Sequence, residues 1–305
     1  MAEVDETLGF DCELNLWYPV ACSGRAPSPR QGHSAVMMDE QMIVFGGSRR
    51  RVWFNDVHSL DTRTLRWSSL DNLSGKPPQP RSYHNAVALN ATSMLVFGGN
   101  SAECAFNDAH ILSLGTGWSK LELAGGSRPG VRCGACLVGP TLTDGTVVLA
   151  GGWDVLNPKE VQVFDDVWQF SLDASLSAGC WVEEKSARID HVTGAAAWIK
   201  DDDIFLFGGQ GAPPLSKRNN TVSKLQCTRL GADKATISLV SEPKDKTAAD
   251  PLTLDELKAL IIDKCVELGL NTKVAGTTYC LSLHEGKIGG KTTNVFFILL
   301  SLSQI

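Results

Sequence analysis

No run of this sequence is long and apolar enough to span a bilayer. Its most apolar stretch, Val295 to Ile305, is about half of the roughly 20 residues a spanning helix requires. No apolar signal core follows the acidic opening Met1-Ala-Glu-Val-Asp-Glu. Cationic excess is missing too. Against 34 Asp and Glu stand 28 Lys and Arg, a formal charge of −6, which argues against the basic face that a duplex nucleic-acid binder needs. The nine cysteines are odd in number and spread over 305 residues, unlike the even pairing of short secreted scaffolds. The N-x-S/T triplets at Asn72, Asn90 and Asn219 are chance matches in such a chain. The expectation is a cytoplasmic protein with reduced thiols that neither inserts into a membrane nor binds nucleic acid.

The motifs of catalysis are equally scarce. There is no G-x-S-x-G, no H-E-x-x-H and no Walker-type Gly-Lys-Ser/Thr; Gly115-Thr-Gly117 and Gly286 to Gly290 read as turns. A zinc ribbon needs two C-x-x-C pairs, and only Cys133/Cys136 has that spacing, so these are read as core or edge thiols. No metal site, cofactor or catalytic residue is assigned.

What the chain has is repetition. Glycine pairs at Gly46-Gly47, Gly98-Gly99, Gly151-Gly152 and Gly208-Gly209 lie 52, 53 and 57 residues apart. They end the apolar runs MIVFGG, MLVFGG, VVLAGG and IFLFGG. An arginine stands three residues before a histidine in Arg30 to His33, Arg81 to His84 and Arg188 to His191; a third copy keeps Arg132 but has Ala135. After the glycines come Asn55-Asp56, Asn107-Asp108, Asp165-Asp166 and Asn219-Asn220, each followed by an alternating strand. Tryptophans at Trp67, Trp118 and Trp181 open another strand, absent from the fourth copy. Four short strands per unit of about 50 residues is the arithmetic of a propeller blade. His33, His84 and His191 recur at one place per copy, as do His58 and His110, which marks packing rather than metal ligation.

P-R-x-x-H, a strand ending in Gly-Gly, N-D and a tryptophan about twenty residues later resemble the kelch repeat over roughly residues 13–242. The resemblance implies an all-β kelch-type β-propeller. Trp17 has no glycine pair before it, so strand 13–20 is expected to complete a last blade supplied by the C-terminus. This gives one domain over 13–305: four blades in 21–242 and a degenerate blade in 243–305. Five blades are expected, with six as the alternative. Thr253-Leu-Asp-Glu256 is a capping box ahead of Leu257, Leu260, Ile261, Cys265 and Leu268, so an inserted helix is expected over 253–269, covering a blade edge or docking a partner.

Two enzyme branches resemble such rings. Galactose oxidase-like enzymes use copper held by two tyrosines and two histidines, whereas the three tyrosines here include Tyr83 inside a repeat motif. Specifier proteins carry an E-x-x-x-D-x-x-x-H iron motif that has no match here. The alternative of a small-molecule or metal-dependent enzyme at the axis is therefore set below a non-enzymatic scaffold or adaptor. Its candidate residues lie in the loops that differ between copies: Arg49, Arg50, Arg51 and Trp53; Asn100; Trp153 and Asp154; Lys217 and Arg218. Arginines beside an indole suit an acidic or phosphorylated protein segment. The resemblance leaves vesicle-traffic, cytoskeletal or ciliary and ubiquitin-ligase complexes open as partners.

Overall fold

The computed structural model describes residues 7–11, 16–140, 145–154, 162–189, 193–200, 203–210, 222–229, 235–240, 286–288, 291–293 and 295–298. Every regular element among them is a β-strand. The N-terminus contributes β1 (Leu8–Asp11) and β2 (Leu16–Pro19). Blade one follows with β3 (Ser23–Gly24), β4 (Ser34–Met38), β5 (Gln41–Phe45), the ribbon β6 (Ser48–Arg49) and β7 (Val52–Trp53), then β8 (Val57–Asp61) and β9 (Arg66–Ser69). Its order is β3-β9-β8-β5-β4. Blade two is β10 (Asn85–Ala88), β11 (Ser93–Phe97), β12 (Ala109–Ser113) and β13 (Gly117–Lys120), paired in sequence.

Blade three comprises β14 (Glu122–Ala124), β15 (Cys136–Val138), β16 (Val147–Ala150), the ribbon β17 (Trp153–Asp154) and β18 (Gln162–Val163), β19 (Asp166–Leu172) and β20 (Ala178–Arg188). Blade four is β21 (Ala196–Lys200), β22 (Asp203–Phe207), β23 (Val222–Arg229) and β24 (Ala235–Val240). Near the C-terminus lie β25 (Gly286–Ile288), β26 (Lys291–Thr293) and β27 (Val295–Ile298).

Both faces of a blade are buried, so the strands are apolar on both sides. Phe45, Val57 and Val36 pack with Met94, Leu112 and Trp118 between blades one and two. Leu95, Phe97 and Ile111 meet Leu149, Phe170 and Trp181 between blades two and three. Val148, Val167 and Ala187 meet Ile204, Leu206 and Leu225 between blades three and four. The inner strands β4, β10, β15 and β21 are consecutive neighbours, which arranges the sheets around an axis. The repeated tryptophans fill these seams. Trp118 lies 4.8 Å from the Phe45 ring and Trp181 4.9 Å from Phe97, each reaching back one blade. His84 does likewise, bonding Ser34 Oγ at 2.8 Å and meeting Phe45 edge-on at 5.0 Å.

The outer edges are blocked. The chain entering blade one runs beside β9, with Gly24 opposite Trp67, where a Cβ would stand 2.1 Å from the Trp67 carbonyl oxygen. Gly75 repeats this against Trp118. Such lead-ins deny the edge strand a second chain.

A fastening repeats within blades one to three. Arg30, Arg81 and Arg132 are buried, with side chains 3%, 0% and 1% exposed. Each guanidinium bonds the first carbonyl of its glycine pair: Gly46 at 3.0 Å, Gly98 at 2.9 Å and Gly151 at 3.0 Å. Each also grips a carboxylate with both terminal nitrogens: Asp56 at 2.5 and 2.9 Å, Asp108 at 2.7 and 3.1 Å, Asp166 at 2.6 and 2.9 Å. The flat faces lie over Phe54, Phe106 and Phe164 at 4.0–4.2 Å. A third donor completes each carboxylate: His58, His110 or the Trp168 indole. Burial alone would raise these three carboxyls, but their arginine and imidazole or indole partners lower all three, Asp56 and Asp108 well below the usual range. The asparagine of the N-D pair points the other way. Asn55 donates to Pro78 O at 3.1 Å and Asn107 to Pro129 O at 3.2 Å, tying down the next blade's lead-in.

Blade four departs from the sequence expectation. Thr193 bridges Gln210 just as Gln31 bridges Ser48, so its copy of the motif is residues 192–195, not Arg188 to His191. The chain slips by four residues there. Arg188 instead bonds Glu183 at 2.9 Å from a partly exposed position. By sequence count, the residue before Thr193 is Val192, where the other three blades have arginine. Phe207 pairs with Val222 as Phe45 pairs with Val57; one and three residues before Val222 the sequence reads Thr221 and Asn219, where blade one has Asp56 and Phe54.

At the chain's ends, β1 lies between β2 and β27, pairing Leu8 with Pro19 and with Ile298. The strand expected at 13–20 is found as Leu16–Pro19, but as an edge; Leu8–Asp11, not foreseen, lies between it and the C-terminal strand. The blade-one face turned away from blade two buries Met42, Val44, Leu60 and Trp67, and the Trp67 indole reaches Thr7 Oγ1 at 3.4 Å. The helix expected at 253–269 lies outside the described residues.

Candidate interaction face

The glycine pairs open onto one face of the ring. There the motif residue two places after the arginine adopts φ near +60° in each blade: Gly32 at 63°, Tyr83 at 52°, Gly134 at 60° and Gly194 at 69°. Tyr83 N–H donates to Gly32 O at 2.7 Å, Gly134 N–H to Tyr83 O at 2.9 Å and Gly194 N–H to Gly134 O at 2.7 Å. The result is a backbone hoop, open among the described residues, whose three hydrogen bonds link the four blades. Just outside it, each blade makes one bridge, Gln31–Ser48, Ser82–Asn100, Cys133–Trp153 and Thr193–Gln210. These pairs are uncharged and differ from blade to blade, whereas the fastenings beneath them repeat.

The predicted site residues take distinct places on this face. Arg49 and Trp53 belong to the β6–β7 ribbon, whose two-residue tip is Arg50-Arg51. Both tip residues have positive φ, 45° and 67°, the geometry of a type I′ turn. They are exposed, while Trp53 is half-buried and donates from Nε1 to Ser82 Oγ of blade two at 3.0 Å. Asn100 is half-buried, bonded to Ser82 through its backbone at 2.8 and 2.9 Å. Trp153 sits over Cys133 and Gly134 rather than projecting free, and Asp154 follows it in the β17–β18 ribbon. Lys217 and Arg218 lie outside the described residues.

Sequence reasoning had no signal for Ser82 as the indole's partner, because the contact crosses between blades. Tyr83 could have been found, since it interrupts a glycine at a repeated position. The motif carboxylates are bonded by their arginines; Arg50 and Arg51 at the ribbon tip are exposed, as is Glu103 in the loop after the second glycine pair, and Arg25 pairs with Asp71 at 3.0 Å. Burial pushes the Cys133 thiol up to about 12, far from a reactive thiolate. Burial, with the Arg30 charge adding to it, pushes the His33 imidazole down to about 4. Among the described residues no three His, Cys, Asp or Glu side chains are placed to hold a metal, and no helix is long and apolar enough to cross a membrane.

Four-stranded blades repeated about an axis, fastened by an arginine under each glycine pair, define a β-propeller. The chain belongs to the kelch-repeat family: the KLHDC2/KLHL20/DRC7 Kelch-repeats domain matches residues 2–209. It is 34% identical over 250 residues to acyl-CoA-binding domain-containing protein 5 of Arabidopsis thaliana, covering 79% of this chain and 36% of that protein. Kelch domain-containing protein 1 of Mus musculus is 30% identical over 214 residues, 61% of this chain and 49% of the relative. The flagellar outer-arm dynein alpha chain of Chlamydomonas reinhardtii is 33% identical over 118 residues, 36% of this chain and 3% of that protein. The chain thus spans less than half of each of these relatives. Kelch domains are in general interaction modules, and this chain carries one.

Proposed function

We propose that this protein is a non-enzymatic scaffold or adaptor that holds an acidic or phosphorylated segment of a partner protein on the glycine-pair face. The observation that carries this reading is the division of labour on that face. Residues common to the blades are consumed by the fastenings, while those that differ crown the bridges and ribbons. Arg49, Arg50, Arg51 and Trp53 with Asn100, Trp153 and Asp154 form the face, and Lys217 and Arg218 are assigned to it from their place after the fourth glycine pair. The ring is taken as five-bladed, its last blade built from 243–305 and the N-terminal strands. The pairing of Leu8–Asp11 with Val295–Ile298 supports that assignment. The match to a short part of a flagellar dynein chain favours a cytoskeletal or ciliary partner among those considered. Recovery of partners from native extract by wild-type protein and by the Arg49/Arg50/Arg51→Ala variant tests the reading. Loss of one or more specific partners is expected, and an unchanged partner set overturns it.

A further inference from the structure

Resting on that reading, we infer that recognition is concentrated at the seam between blades one and two, where Arg50, Arg51, Trp53 and Tyr83 form one binding hot spot for an acidic peptide with an apolar residue beside its acidic group. Six non-glycine residues have positive φ among the described residues: Asp39, Arg50, Arg51, Leu65, Tyr83 and Leu176. Asp39, Leu65 and Leu176 lie in the hairpin turns at the opposite end of the strands. The other three lie on the glycine-pair face, at this one seam. Left-handed backbone is unfavourable for side chains of their size, and such residues cluster where function maintains them.

A type I′ tip favours Asn-Gly, yet here it carries two exposed guanidinium groups in succession. Tyr83 occupies a hoop position that is glycine in the three other blades. The two strained elements are tied together, because Trp53 follows the tip by two residues and its indole bonds Ser82, the neighbour of Tyr83, at 3.0 Å. Val52, between tip and indole, is 57% exposed. The seam therefore carries two exposed arginines at the tip, the exposed Val52 and the half-buried Trp53 and Tyr83. Carboxylates suit the first, and an aliphatic or aromatic side chain suits the rest.

Panning a random peptide library on the full chain tests this. Enriched peptides are expected to carry Asp or Glu within two residues of an apolar side chain. A synthetic copy of the most enriched peptide should bind Arg50→Asn/Arg51→Gly at least tenfold more weakly and Tyr83→Gly at least threefold more weakly. Both variants relieve left-handed backbone, so they should fold with Tm equal to or a few degrees above wild type. Leu65→Gly relieves the same conformation at the far end and should raise Tm while leaving peptide affinity unchanged. Enriched peptides without acids, or affinity indifferent to Arg50→Asn/Arg51→Gly, overturn the seam assignment while the broader face reading survives. Enrichment of no peptide at all overturns both.

Discussion

In blade two the Arg81 guanidinium lies over Phe106, grips Asp108 and caps Gly98, entirely out of water. In blade four the same three places read Val192, Asn219 and Thr221. All three parts of the device are replaced together, which is what its physics requires. A buried guanidinium without its carboxylate is far more costly than no charge at all. Yet β21 to β24 still pair in order and still bury Ile204, Leu206 and Leu225. Sheet topology therefore rests on apolar strands and turns, while the fastening is a separable addition that pins one glycine pair to the face above it.

The sharpest way to break this contrast is to remove the arginine from each kind of blade. Arg81→Met leaves Asp108 and its imidazole partner without a counter-charge and should cost about 3–5 kcal/mol. Arg188→Met, outside any fastening, should stay within about 0.5 kcal/mol. Denaturant unfolding of both variants checks this, and equal losses would erase the distinction.

Acid offers the next test. His33 is held neutral by burial, which pushes its imidazole down to about 4 from the ordinary histidine value of about 6.5. A depressed pKa contributes stability that is complete above about 6.5 and lost as pH falls towards 4, worth about 3 kcal/mol. The fastened carboxyls, depressed as well, add their loss only below the ordinary carboxylate range. Protection factors of the β4 amides, with intrinsic exchange divided out, should fall across pH 6.5 to 4, whereas those of β21, preceded by Ala195, should fall less.

A smaller effect comes from building the fastening where it is missing. Val192→Arg alone should destabilise blade four, and adding Thr221→Asp should recover part of the loss. The expected coupling in a double-mutant cycle is about 1–3 kcal/mol. Smallest is Asn55→Ala, which removes one hydrogen bond to the next blade's lead-in and should cost about 1 kcal/mol by thermal unfolding.

The same contrast explains what could be read from the residues alone. Blades one to three were legible because glycine pairs, tryptophans and the motif arginine recur in step, and each proved to be a physical contact. Blade four misled through a coincidence: Arg188 and His191 reproduce the motif four residues early, and only the Thr193–Gln210 bridge exposes the slip. The phenylalanines under the arginines were visible as F-N-D, F-N-D and F-D-D but carried no meaning until the rings were seen beneath guanidinium groups. Leu8–Asp11 was missed because a four-residue strand containing glycine and a terminal charge shows no alternation of its own. On the face, Arg50 and Arg51 could be named as cations, but their left-handed tip and the Trp53–Ser82 tie belong to tertiary structure.

One consequence follows from the backbone hoop of Gly32, Tyr83, Gly134 and Gly194. Each of its three donating N–H groups bonds the carbonyl of the preceding blade, so these backbone groups are spent on tying neighbours together rather than aimed at a ligand. Unlike the free N–H groups at the start of a helix, these amides are already occupied and offer an anion no donor.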